Sequence, residues 1–160
     1  MNNKSNVKVA LVSSVGGHLT QIRQLEKLYK HYDYFIITEE TELTRDMAEK
    51  ESKVFFLRLI NRKMWNFPYL LMVNSIRSFY YLLKEKPDVI ISTGALSTVP
   101  FCLIGKLLLR KKLIYIESFA KMDTPTLTGR FLYRFADLFI VQWEKMLEYY
   151  PKAVYGGSIY

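Results

Sequence analysis

Two turns carry residue types from which an anion site could be built. The first is Ser13-Ser14-Val15-Gly16-Gly17-His18. Paired glycines let a backbone approach a ligand and bend sharply into a helix. The start of that helix presents N–H groups and a partial positive charge to an anion. His18 sits at this start, where the helix dipole disfavours a protonated imidazole, so it could accept a proton from a hydroxyl nucleophile. The same residues also read as a plain turn, with His18 closing the helix end. The second turn is Ser92-Thr93-Gly94-Ala95-Leu96-Ser97-Thr98. Its hydroxyls and N–H groups could hold a pyrophosphate, and Ser97 or Thr98 could cap the next helix. The candidate phosphate-binding residues are therefore Ser14, Gly16, Gly17, Thr93, Gly94 and Ser97, with His18 as candidate base. Glu117, in Glu117-Ser118-Phe119-Ala120, could bond sugar hydroxyls or orient His18. It could equally be a solvated loop residue.

Other chemistries fit poorly. The first turn lacks the G-x-G-x-x-G dinucleotide spacing, although Glu39 ends a predicted strand where a ribose-binding acid could sit. A stand-alone dinucleotide enzyme is the weakest reading. No G-x-x-x-x-G-K-[ST] loop occurs. His18 and His31 are read as sharing a helix, too far apart for an i, i+4 metal pair, so no metal site and no cofactor are expected. The single cysteine, Cys102, lies in an apolar run and reads as core.

The elements that must position these turns alternate. Strands are predicted over Val7–Ser13, Asp33–Thr38, Lys53–Leu57, Val89–Ser92, Leu113–Glu117, Leu138–Gln142 and Ala153–Tyr155. Helices are predicted over Leu19–His31, Glu42–Lys50, Phe67–Glu85, Ser97–Leu109, Thr126–Phe135 and Trp143–Tyr149. Continuously apolar strands between helices predict an α/β fold with a doubly wound parallel sheet. A 3-2-1-4-5 strand order puts strands one and four side by side at the reversal, where ligands bind. Residues 1–160 are read as one Rossmann-like domain, ending where a cleft enzyme would need a second half.

The net charge is +8 and half of the 160 residues are hydrophobic. A basic surface implies an anionic partner. Residues 58–86 place Trp65, Phe67 and Tyr69 beside Arg62 and Lys63, and the helix is apolar over most of its circumference at its start. Aromatics with a basic rim suit an anionic membrane surface; a partner-chain contact is the alternative. Bulky aliphatics among the cations argue against nucleic acid. No run reaches the roughly 20 apolar residues of a membrane span. The expected location is therefore cytoplasmic, peripheral on the inner face of the cell membrane.

Several stretches resemble a known family. They are Ser14-Val15-Gly16-Gly17-His18, Pro87-Asp88-Val89-Ile90-Ile91-Ser92-Thr93-Gly94 and Tyr115-Ile116-Glu117-Ser118-Phe119-Ala120. To these add Thr128-Gly129-Arg130, Ala136-Asp137-Leu138-Phe139-Ile140-Val141-Gln142-Trp143 and Ala153-Val154-Tyr155-Gly156-Gly157. Together they resemble the bacterial CpsF/PssD family of capsular and exopolysaccharide biosynthesis proteins. That family is related to the asparagine-linked glycosylation protein fourteen group and, more distantly, to the N-terminal half of MurG. The resemblance implies the N-terminal-type half of a GT-B glycosyltransferase. It would be a membrane-associated subunit that binds a lipid-linked saccharide acceptor and activates a separate donor-binding chain. The reaction implied moves a hexose from a UDP-sugar to a lipid-pyrophosphate-linked sugar. By family position the two glycine turns face the acceptor, and His18 and Glu117 are the catalytic candidates. Where MurG-like chains carry a His before that Glu, this chain has Ile116. Partner contact is expected in the C-terminal segment, at Trp143, Tyr155, Gly156 and Gly157. The alternative is a non-catalytic scaffold that recruits the catalytic subunit to the membrane.

Overall fold

The computed structural model describes residues 5–50 and 53–159. Residues 1–4, 51–52 and 160 of the expected 1–160 domain lie outside them. Seven strands form one parallel sheet: β1 (Ser5–Ser13), β2 (Tyr32–Glu39), β3 (Val54–Leu57), β4 (Val89–Gly94), β5 (Lys112–Ile116), β6 (Leu138–Val141) and β7 (Val154–Tyr155). Their spatial order is β3-β2-β1-β4-β5-β6-β7. The reversal falls between β1 and β4, whose register runs Val9 to Val89 through Val12 to Ser92. The predicted doubly wound α/β architecture is therefore present, and both glycine turns leave the carboxyl ends of the two switch-point strands.

Among the described residues six α-helices accompany the sheet: α1 (Gly17–Gln24), α2 (Glu26–Tyr29), α3 (Glu42–Lys50), α4 (Phe67–Glu85), α5 (Val99–Leu103) and α6 (Leu127–Leu132). Two apolar clusters cover the two faces of the strands. One joins Ala10, Val12, Phe35, Ile90, Phe101 and Tyr115 to partly buried side chains such as Tyr81, Leu103 and Ile104. The other joins Val9, Leu11, Ile22, Tyr29, Ile36 and Met47. Strand residues alternate between the clusters because successive side chains point to opposite faces.

Local structure departs from the predicted elements where helical periodicity ran through a break. The predicted Leu19–His31 helix is divided at Leu25, which caps both α1 and α2 with φ −82° and ψ 9°. His31 therefore lies beyond α2, and the two histidines share no helix. The predicted Ser97–Leu109 helix is a 3₁₀ turn (Leu96–Thr98), then α5, then a π-helical turn (Ile104–Leu108). The π turn holds the closest approach to the sheet: a Cβ on Gly105 would collide with Ile90 Cδ1, so the segment presses against β4 at its glycine. Trp143–Tyr149 shrinks to a 3₁₀ turn over Glu144–Glu148. Cys102 is buried, and burial pushes its thiol up to about 12, as expected of core.

Helix α4 has its predicted bounds but an inverted pattern. Its fully buried positions are Asn74, Ser78 and Leu82. The Asn74 amide bonds both backbone groups of Arg58: Oδ1 accepts from the N–H at 2.8 Å and Nδ2 donates to the carbonyl at 2.7 Å. This pair fixes the loop between β3 and α4. The opposite side carries Tyr69, Met72, Ile76, Phe79, Tyr80 and Leu83, all exposed. At 3.6 residues per turn these six fall within an arc of about 100°. No helix of the described residues is long and apolar enough to cross a membrane.

Candidate functional site

Beyond β1, β4 and β5 the two glycine turns are stitched into one unit. The Ser14 N–H donates to the Gly94 carbonyl at 3.0 Å, and Thr93 Oγ1 donates to the His18 carbonyl at 2.9 Å. The Val15 N–H reaches Glu39 Oε2 at 3.3 Å. Glu39 is buried and braces the first turn, so it does not stand out as a ribose ligand. Gly16 has φ +75°, a left-handed value that a glycine adopts without steric cost. A Cβ there would meet nothing within 4 Å, so the turn is open toward solvent.

Gly94 is the crowded point. Its φ is +97°, and a Cβ there would lie 3.0 Å from the Tyr115 hydroxyl, 3.5 Å from His18 Cε1 and 3.7 Å from His18 Nδ1. The glycine thus leaves room between an imidazole and a buried phenol. His18 Nδ1, Tyr115 OH, Ser13 Oγ and Ser97 Oγ are all buried, and none makes a hydrogen bond of good geometry among the described residues. Buried polar groups are ordinarily satisfied, so four at one sheet mouth point to a ligand that completes them. Burial holds the His18 imidazole below its usual 6.5, against the opposing pull of the Thr93 backbone and the charges of Glu117 and Glu39. Burial, then the Glu117 charge, pushes the Tyr115 phenol well above its usual range. The Thr126 side chain opposes that shift. His18 therefore presents a neutral imidazole, and Tyr115 a protonated donor. Tyr115 was not among the predicted site residues. The available signal was a tyrosine inside an apolar strand, whose hydroxyl needs a partner when buried.

The predicted capping roles of Ser97 and Thr98 are not found. Thr98 Oγ1 donates back to the Ala95 carbonyl at 2.7 Å, and neither hydroxyl caps α5. The 3₁₀ turn before α5 points both inward instead.

Glu117 is not a solvated loop residue, and its carboxylate does not orient His18. It is 1% exposed. Oε1 accepts from the Ser118 N–H at 2.8 Å and from the Thr126 hydroxyl at 2.8 Å. Oε2 accepts from the Tyr150 hydroxyl at 2.7 Å and the Thr126 N–H at 3.4 Å. Thr126 in turn caps α6 through the Gly129 N–H at 2.8 Å. A Cβ on Gly129 would collide with this carboxylate. Four donors on two oxygens make Glu117 the anchor of the loop after β5 and of α6.

That loop and α6 form one wall of a cleft of about 620 Å³; the N-terminal part of α4 forms the other. Phe67 and Leu71 face Leu127 and Phe131 across it, with Ala95, Leu96 and Val99 also lining it. Arg62 and Lys121 are its two cations, and no carboxylate lines it. Phe67, predicted to face a membrane, lines this cleft with Arg62. Trp65 is 94% exposed and Tyr69 61% exposed, and Lys63 is exposed beside them.

At the C-terminal end, Trp143 is partly tied inward. Its indole N–H donates to the Phe119 carbonyl at 2.7 Å, and its ring lies 4.9 Å from that of Phe119. Tyr155, in the edge strand β7, is half exposed. The Gly156 N–H extends the ladder to the Val141 carbonyl at 3.0 Å, and Gly157 takes φ +69°. Among the described residues no group of three His, Cys, Asp or Glu side chains could hold a metal ion.

The fold matches solved structures across most of the chain. MurG of Acinetobacter baumannii aligns with a TM-score of 0.71 at 13% identity, covering 87% of this chain and 42% of that one. UDP-GlcNAc 2-epimerase from Neisseria meningitidis, bound to UDP-GlcNAc, aligns with a TM-score of 0.68 at 14% identity, covering 96% and 47%. This chain spans less than half the length of either. Among curated proteins, the human UDP-N-acetylglucosamine transferase subunit ALG14 is 29% identical over 182 aligned positions, covering 98% of this chain and 84% of the human one. The Schizosaccharomyces pombe protein of the same description is 29% identical over 166 positions, covering 90% and 79%. Residues 9–159 match the family model described as oligosaccharide biosynthesis protein Alg14 like. The chain, Rossmann-like sheet and glycine-turn mouth included, belongs to the Alg14-like family.

Proposed function

We propose that this protein is the membrane-associated, acceptor-binding subunit of a two-chain glycosyltransferase. The observation that carries the reading is the sheet mouth itself. Unsatisfied hydroxyls of Ser13, Ser97 and Tyr115 and the neutral His18 imidazole adjoin a cleft that is apolar apart from its cations and hydroxyls. Such a mouth suits a sugar diphosphate joined to a lipid. The names of the relatives, transferase subunits for UDP-N-acetylglucosamine, support a UDP-sugar donor held by a separate chain. The two glycine turns (Ser14, Gly16, Gly17, Thr93, Gly94, Ser97) face the acceptor sugar and its diphosphate. Trp65, Tyr69 and Lys63 meet an anionic membrane on its cytoplasmic side, and Trp143, Tyr155, Gly156 and Gly157 lie toward the partner. The resemblance to CpsF/PssD proteins favours capsule or exopolysaccharide assembly as the setting.

Glu117 supports a second reading, in which the chain positions the acceptor and the partner and supplies no base. A carboxylate with four donors has no free lone pair aimed at a substrate. Transfer from a panel of UDP-sugars to a membrane-borne lipid-linked sugar, with and without the chain encoded beside this one, tests both. Activity from the pair alone is the expected result, and activity from this chain by itself would overturn the two-chain reading. His18→Ala in the active pair separates the two roles: a loss of about 10²-fold or more in kcat marks a base, and unchanged kcat marks a positioning subunit.

A further inference from the structure

The cleft between α4 and α6 differs in chemistry from the glycine turns it adjoins. Its walls are aromatic and aliphatic: Phe67 and Leu71 on one side, Leu127 and Phe131 on the other. Leu127 and Phe131 of α6 are exposed and Phe67 and Leu71 of α4 are half-buried, so apolar side chains of both helices remain partly open to solvent. Exposed apolar surface arranged as a concave trough marks a binding site. At about 620 Å³ the trough is of the size that takes one extended chain and its head group.

The two cations give the trough a direction. Arg62 comes from the loop before α4 and Lys121 from the loop before α6. Neither has a carboxylate partner among the described residues, although nine ion pairs neutralise other cations of the molecule. Cations without counter-ions beside an uncharged wall suit an anion that carries an apolar tail. Ala95 and Leu96 line the trough in the turn that also holds Gly94 and Ser97. A phosphate between Arg62 and Lys121 therefore has the glycine turns beside it for whatever sugar it bears.

We propose that this cleft binds the first segment of the acceptor's single lipid chain, with Arg62 and Lys121 closing on its chain-proximal phosphate. The inference rests on the acceptor-binding reading above and assigns the chain to the walls of the cleft and its proximal phosphate to Arg62 and Lys121. One trough between two helices accommodates one chain, which favours a single-chain polyprenyl-type diphosphate over a two-chain phospholipid.

The test uses the full chain and geranylgeranyl diphosphate below its micelle concentration, followed by calorimetric titration. Saturable binding is expected, with affinity lowered by about tenfold or more in Arg62→Glu/Lys121→Glu, where two attractive charges become repulsive. Phe131→Asp, at an exposed wall position, is expected to weaken the same probe. Inorganic pyrophosphate is expected to bind far more weakly than the probe. Equal binding of the probe by the charge-reversed double variant would overturn the proposal. So would full displacement of the probe by phosphatidylglycerol vesicles, which would make the cleft a bilayer-lipid site. In the two-chain transfer assay the double variant should raise the acceptor KM with kcat retained. An active pair with unchanged KM in the variant sinks the cleft assignment alone. A wild-type pair that never transfers sinks the acceptor reading, while the titration still decides whether the cleft takes the probe.

Discussion

At the scale of single residues, the site is defined by which polar groups are satisfied and which are not. Glu117 looks catalytic in one dimension because a carboxylate at a sheet mouth can meet a substrate. In three dimensions its oxygens are consumed by Ser118, Thr126 and Tyr150. Tyr150→Phe removes one buried hydrogen bond to a charge and should destabilise the fold by about 1.5–3 kcal/mol in urea unfolding. An unchanged midpoint would refute the anchoring role. His18 leads to a pH prediction. Its folded pKa lies below the unfolded value of 6.5 because burial penalises the charged ring. Between the two values the unfolded chain binds more protons, so its contribution to stability is complete above 6.5 and is lost as pH falls through the folded pKa. His18→Gln should flatten that part of the stability–pH curve, and an imidazole NMR titration should give a pKa below 6.5. An imidazole midpoint at or above 6.5 would contradict the burial argument.

At the scale of elements, α4 is the informative one. Its bounds follow from Pro68 in its first turn and Lys86 in a left-handed conformation at its end. Its orientation does not follow from hydrophobicity, because Asn74 and Ser78 face inward while the stripe from Tyr69 to Leu83 faces out. The Asn74 clamp on the Arg58 backbone goes with that orientation, since both ends of the buried amide are satisfied only when this face turns inward. The stripe predicts vesicle binding. Tyr69→Ser/Ile76→Ser should lower partitioning onto anionic vesicles by about tenfold or more. Both side chains are exposed (61% and 63%), so the thermal midpoint should stay close to wild type. Wild-type vesicle affinity in this variant would move the stripe from the membrane to a protein partner.

At the scale of the whole molecule, the switch point between β1 and β4 brings together turns about eighty residues apart in sequence, and the cleft joins them to the loops before α4 and α6. A net charge of +8 adds an electrostatic attraction to anionic surfaces that acts over roughly a Debye length. Binding to phosphatidylglycerol-containing vesicles should therefore weaken steadily as salt rises from about 50 to 500 mM, over which the screening length shortens severalfold. Salt-independent binding would assign membrane affinity to the apolar stripe alone.

The strands and the fold class were legible in the sequence because they depend on local signals, and the reversal between strands one and four follows from that class. Apolar strands of valine and isoleucine, glycine turns and intervening helical spacing survive without knowledge of contacts. The position of the glycine turns and of His18 was legible for the same reason, since a sharp turn at a strand end needs the backbone freedom of glycine. Other features were decided only in the folded chain. The division of the first helix at Leu25, the π turn at Gly105, the inward face of α4, the burial of Glu117 and the unsatisfied hydroxyl of Tyr115 each depend on a neighbour distant in sequence. Hydrophobic periodicity reports how much apolar surface an element carries. Which side chains meet, and which polar atoms are left for a ligand, is set by the packing of one element against another.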